Sequence, residues 1–144
     1  MVAGYYVNKD AGEICDLGVV SMRVLVEDQA GGAFALAEFR GGEGPWTIPH
    51  VHQRTSESFF VLDGTFDFEC DGDAVTAGPG DYFLVPIGSP HMITARHGGG
   101  TLLAIMAPAG LHEMFKALSR LPGDSLRDPV VRHEMSSRYD SVPV

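Results

Sequence analysis

Apolar and polar positions alternate in short runs along most of this chain. Residues 21–27 and 33–39 read as strands, the first closed by Ala30-Gly31-Gly32 and the second by the turn residues 41–45. The strongly strand-forming run Phe59-Phe60-Val61-Leu62 ends at Asp63-Gly64, a tight-turn signal. From residue 65 to 69 the alternation is strict. Phe66, Phe68 and Cys70 share one face, and Thr65, Asp67 and Glu69 the other. Turns follow at Asp71-Gly72 and Gly78-Pro79-Gly80, then strands at 82–85, 91–95 and 101–107, with Gly98-Gly99-Gly100 turning the chain between the last two. Tyr5-Tyr6-Val7 is expected as a short edge strand. Strands recurring at roughly 8–12-residue intervals predict an all-β sandwich or barrel rather than a βαβ sheet.

The period changes after Pro108. Leu111, Met114, Phe115, Leu118 and Leu121 form an apolar helical stripe over 111–121, stopped by Pro122-Gly123. A second helix is expected over 128–138, with Asp128 as its cap and Pro129 at its first position. The 144 residues are therefore read as one domain, a barrel over about 20–108 and a helical segment over about 109–140. A formal charge of −9 disfavours nucleic acid and anionic membrane as partners, since both demand a basic face. No apolar run reaches membrane-spanning length, and Lys9, Asp10 and Glu13 interrupt any leader-like stretch, so a cytoplasmic chain is expected. Cys15 and Cys70 show no framework spacing and are read as reduced thiols.

Candidate chemistry concentrates at His50-Val51-His52-Gln53-Arg54-Thr55-Ser56-Glu57 and at His91. On a strand, residues two apart share a face at roughly 6.5–7 Å. His50 and His52 can then tilt onto one ion at the usual metal–nitrogen distance of about 2.0–2.1 Å. Glu57 opens the run that includes Phe59 and Phe60; on the neighbouring strand of a hairpin it is placed to add a third ligand. The surrounding spacing is specific. It runs Gly44, five residues, His50-x-His52, four residues, Glu57, six residues, Gly64, and later Gly80, five residues, Pro86-x-Gly88, two residues, His91.

This pair of patterns resembles the two signature motifs of the cupin superfamily. It departs from them only at Ala95, where the family usually has Asn. The segment 107–115 and the ending near Tyr139 resemble the tail of the quercetinase-like branch, small relatives of quercetin 2,3-dioxygenase. The resemblance implies a double-stranded β-helix, or jelly-roll barrel, holding one divalent ion through His50, His52, Glu57 and His91. Fe, Mn, Ni, Co and Zn all suit such ligands. Structural zinc sites are closed and usually carry thiolates, so a site with open positions is catalytic in kind.

Parity proposes the pocket. If His50 and His52 point inward, so do Trp46 and Ile48; if Glu57 does, so does Phe59. Phe66, Phe68, Ile93 and Met106 are further candidates, and helix 111–121 is placed to close the mouth with Met114 and Phe115. Such a cavity suits a small apolar or aromatic substrate, and Arg40, Arg54 and Arg96 are too scattered to hold a phosphate. The branch implies that Glu57 doubles as general base toward a hydroxyl acidified by the metal. Three functions are weighed: a dioxygenase on an aromatic or enolisable compound, a non-redox isomerase, cyclase or lyase using the same metal, and a non-enzymatic ligand-binding protein. Shared folds and ligands do not separate the first two. A homodimer is expected, as in small members of the family, with residues 5–7 and 21–27 covering each other's edges.

Overall fold

The computed structural model describes residues 4–122 and 125–144, so Gly123 of the expected helix stop lies outside the described residues. Ten strands are formed: β1 Ile14–Asp16, β2 Val20–Val26, β3 Ala35–Gly41, β4 Gly44–Pro45, β5 His50–Val51, β6 Ser56–Cys70, β7 Asp73–Ala77, β8 Tyr82–Val85, β9 His91–Ala107 and β10 Val142–Pro143. Helix α1 (His112–Leu118), a 3-10 turn (Ser125–Arg127) and α2 (Pro129–Met135) lie between β9 and β10.

Two long strands make the frame. β6 and β9 pair antiparallel from Ser56 opposite Ala107 to Cys70 opposite His91, with register shifts around Asp63 and Gly64. One half of β6 also pairs with β8 and the other half with β7. β9 in turn carries β3, β4 and β5. Each long strand thus serves both parts of a jelly roll, bending midway. This corrects the expected turns at Asp63-Gly64 and Gly98-Gly99-Gly100, where the chain bends and continues. Gly64 and Gly99 have φ of 82° and 67°. A Cβ on Gly64 would strike the Gly99 carbonyl and lie 2.8 Å from Gly100 Cα. Glycine is needed here for close backbone approach at a bulge, a use of φ > 0 that local sequence cannot distinguish from a reversal.

The alternation predicted for 21–27 and 33–39 appears as inward rows, Val20, Met22 and Val24 on β2 and Ala35, Ala37 and Phe39 on β3. α1 adds Met114, Phe115 and Leu118 to the same core. It ends at Leu118, leaving Leu121 37% exposed and outside the stripe. α2 has the expected Asp128 cap, whose side chain accepts from Val130 N at 2.9 Å, but stops at Met135. The expected strand at 5–7 is not formed. Tyr5 and Tyr6 are exposed, and β1 is the edge strand instead. β2 is flanked by β1 and β3, so the edge pair invoked for a dimer has no counterpart here. Among the described residues no helix is long and apolar enough to cross a membrane. The chain ends beside its own centre, because β10 pairs with β5, Val142 opposite Val51 and Pro143 opposite His50.

Candidate metal centre

β5 is only two residues long and pairs with β9 and β10, not with β6. The expected hairpin between the histidines and Glu57 is therefore corrected. His50 lies opposite His91, the first residue of β9. Glu57, the second residue of β6, is fixed between Met106 of β9 and Val85 of β8. His52 follows β5 and turns inward beside His50. Ring centroids are 4.2 Å apart for His50–His91, 4.8 Å for His50–His52 and 4.9 Å for His52–His91. One ligand atom from each histidine and from Glu57 lies within 4.8 Å of all the others, and all four residues are buried.

Each histidine is aimed by a backbone carbonyl. Nδ1 meets Ile48 O at 2.6 Å in His50, Asp140 O at 2.6 Å in His52 and Ser89 O at 3.0 Å in His91. A carbonyl can only accept, so each Nδ1 carries a proton; that leaves Nε2 as the nitrogen free for a metal, although at His52 it faces the Glu57 carboxylate and shares a proton with it. A carbonyl at Nδ1 is the usual outer anchoring of metal-binding imidazoles. Burial, with His91 and His52 nearby, holds His50 well below its ordinary pKa and hence neutral.

Glu57 Oε1 is 3.1 Å from His52 Nε2 and 3.5 Å from His91 Nε2. Burial alone would raise its pKa, but the two imidazoles hold it well below the carboxylate range. Burial likewise pushes His52 down, yet the Glu57 hydrogen bond and the Asp140 carbonyl outweigh it and raise the value. His52 and Glu57 therefore compete for a proton with the same lone pairs that would bind a cation. His91 Nε2 is buried and has no hydrogen-bond partner among the described residues. An orphaned imidazole nitrogen, two others converging on it and one ionised carboxylate fit a divalent transition ion. His50, His52, Glu57 and His91 would hold it.

A cavity of about 30 Å³ adjoins the cluster, with His50 and Glu57 in its wall. Trp46, Phe59, Ile93, Met114 and Phe115 line it. Ile48, Phe66, Phe68 and Met106 do not. Ile48 is half-buried and contributes its carbonyl to His50. Phe66 packs edge-on to Trp46 at 5.0 Å, behind the lining, and Phe68 stacks on Phe83 at 4.8 Å. Met106 is fully buried beside Glu57's strand. A small barrel fills itself layer by layer, so inward parity identifies the core without saying which layer meets the metal. Cys70 stands outside the ligand group, its thiol pKa raised by burial.

Besides uncharged wall residues such as Phe39 and Thr47, two charged residues of the site escape sequence reading. Arg132, on α2, is 2% exposed and lines the cavity. Asp140 holds His52 through its carbonyl, and its carboxylate accepts from Gln53 N and Arg54 N, both at 2.8 Å. Its one sequence signal was position, just after Tyr139 in the tail.

A cupin domain family model matches residues 35–107. The quercetin 2,3-dioxygenase of Bacillus subtilis is 25% identical over 107 residues, covering 74% of this chain, which spans about a third (32%) of that relative's length. An RmlC-like cupin from Shewanella frigidimarina superposes with a TM-score of 0.64 at 24% identity, over 74% of this chain and 93% of that one. Streptomyces Pac13, described as a nucleoside dehydratase, superposes with a TM-score of 0.62 at 18% identity, over 77% and 88%. With about half of its length matched by the family model, and both motifs folded into one buried cluster, the chain belongs to the cupin domain family.

Proposed function

We propose that the protein is a metal-dependent dioxygenase acting on an aromatic or enolisable small molecule. The observation that carries this reading is the buried three-histidine, one-glutamate cluster opening onto an apolar cavity. The partial similarity to a quercetin dioxygenase supports it. A divalent transition ion bound there supplies Lewis acidity and, if redox-active, a route for electrons to dioxygen.

The chain's own residues do the rest. Trp46, Phe59, Ile93, Met114 and Phe115 exclude water and hold a flat apolar group against the cluster. Glu57 accepts the proton of the substrate hydroxyl at its carboxylate oxygen. Held below its usual range, it is a weak base and is suited to a hydroxyl already made acidic. The cavity's 30 Å³ takes a water or two, whereas a dry cavity that binds benzene is about 150 Å³. Substrate entry therefore requires the cavity wall to yield.

The test is turnover with and without oxygen. Wild-type protein should consume oxygen in step with substrate. Glu57→Gln should stop both together, with activity falling by roughly 10²–10⁴-fold and metal partly retained. A second reading, a non-redox lyase or dehydratase, draws on the fold shared with Pac13. Anaerobic turnover at the aerobic rate would establish that reading and exclude the dioxygenase.

A further inference from the structure

Arg132 is the one charged side chain of the cavity wall that the metal cluster does not use. Its guanidinium is buried with weak company. Nη1 donates to Met114 Sδ at 2.8 Å and Nη2 to the Ser141 hydroxyl, and among the described residues it has no ion-pair partner. A thioether is a poor acceptor, and a guanidinium offers five donors. An unpaired buried cation is costly, and natural chains keep one chiefly where something else compensates it. Burial draws its pKa down to about 10 against the pull of the nearby Glu57 charge, which leaves it charged at neutral pH. The nearest carboxylate on the cavity wall, Glu57, is already committed to the histidines.

We infer that Arg132 is a ligand-binding residue, and that the molecule entering this cavity carries a carboxylate which the guanidinium of Arg132 receives while the rest of it meets the metal cluster. A planar carboxylate matches the guanidinium fork with two parallel hydrogen bonds. A phosphate fits less well, because the cavity wall offers a single cation and is otherwise mostly apolar. Since Arg132 sits on α2 and touches Met114 of α1, an arriving anion would also tie the helical segment down over the ligand. The inference rests on the cavity being the substrate chamber proposed above.

The experiment titrates the metal-loaded full chain with matched acids and amides: benzoate against benzamide, and salicylate against salicylamide. Binding is followed by calorimetry and metal content is measured on the same samples. Wild type should prefer each acid by at least about tenfold. Arg132→Met should lose that preference with its metal intact, and Arg132→Lys should keep part of it. Arg132→Met should also melt at or above the wild-type temperature, since an apolar side chain of similar volume replaces an uncompensated charge. Equal binding of acid and amide, no binding of either, or a preference that survives in Arg132→Met would overturn the inference. So would an Arg132→Met protein that melts well below wild type or fails to fold, because Arg132 would then be structural. Wild type that takes up no metal would instead defeat the metalloenzyme reading, leaving the acid preference to be judged by itself.

Discussion

Among the described residues, two groups of histidine and carboxylate side chains lie close enough to share an ion, and they are built differently. One is His50, His52, Glu57 and His91; the other is Glu27, His112 and Glu113. In the first, every imidazole is anchored through Nδ1 to a carbonyl, and the Nε2 atoms of His52 and His91 face one buried carboxylate. In the second, His112 Nδ1 has no partner among the described residues, and its Nε2 stands 3.7 Å from Glu27 and 3.3 Å from Glu113. The cation there is already present. Lys116 Nζ lies 2.6 Å from Glu27 and 3.0 Å from Glu13, which raises its own pKa. Proximity of donor atoms is shared by both groups. Anchored imidazoles around a buried carboxylate belong to the first alone, whereas in the second Lys116 already pairs with Glu27.

The largest expected effect separates the two groups directly. His91→Ala should weaken metal binding by more than the roughly 10–100-fold typical of outer-shell changes, while His112→Ala leaves one ion per chain. Competition against a chelator reads both. Full occupancy in His91→Ala, or a lost ion in His112→Ala, would break the contrast.

A smaller effect tests the anchoring. Asp140→Ala removes the carboxylate that holds the backbone of Gln53 and Arg54 beside His52. Metal affinity should fall by about tenfold and stability by about 1 kcal/mol, modest because the site is partly exposed. Burial alone would raise the Asp140 pKa, but the two backbone N–H donors hold it below its ordinary value. With the folded pKa below the unfolded value of about 3.9, the clamp's contribution is complete above that pH. It is lost as pH falls through the folded value. Acid melting curves of wild type should therefore converge on those of Asp140→Ala below about pH 4; parallel curves would remove Asp140 from the clamp.

The smallest effect concerns the second group. Lys116→Met frees Glu27 and Glu13 of their cation, yet should cost less than about 1 kcal/mol and recruit no ion. Two ions per chain in that variant would show that Lys116 alone kept the second group from being a metal site.

Much of the centre was legible in the sequence because its chemistry is local. Strand parity places the His-x-His pair on one face, and the two rings do lie side by side, although β5 ends at Val51 and His52 turns inward after it. Helix α2 announces its start through Asp128 and Pro129. Parity also found Trp46 and Phe59 of the cavity wall, and the helical stripe found Met114 and Phe115. It could not tell these from Phe66, Phe68 and Met106, since all point inward and only their depth differs.

Residue types and spacing by themselves determined the β architecture and the apolar stripe of α1, because those properties repeat with the backbone's own period, while the four candidate ligands came from the resemblance to the family's motifs. Tertiary structure decided the rest. Whether Gly64 and Gly99 end a strand or bend one depends on β6 and β9 lying side by side, residues far apart in the chain. The partner of β5 is β10, far later in the chain, with Val142 opposite Val51, and with it comes the Asp140 carbonyl on His52. A backbone carbonyl has no signature in residue type, so its role as an anchor was invisible. Arg132 reads as one more surface charge on a short helix until α2 is packed against the barrel. Burial, which turns that charge from a solvated group into one awaiting a partner, is a property of the assembled fold alone.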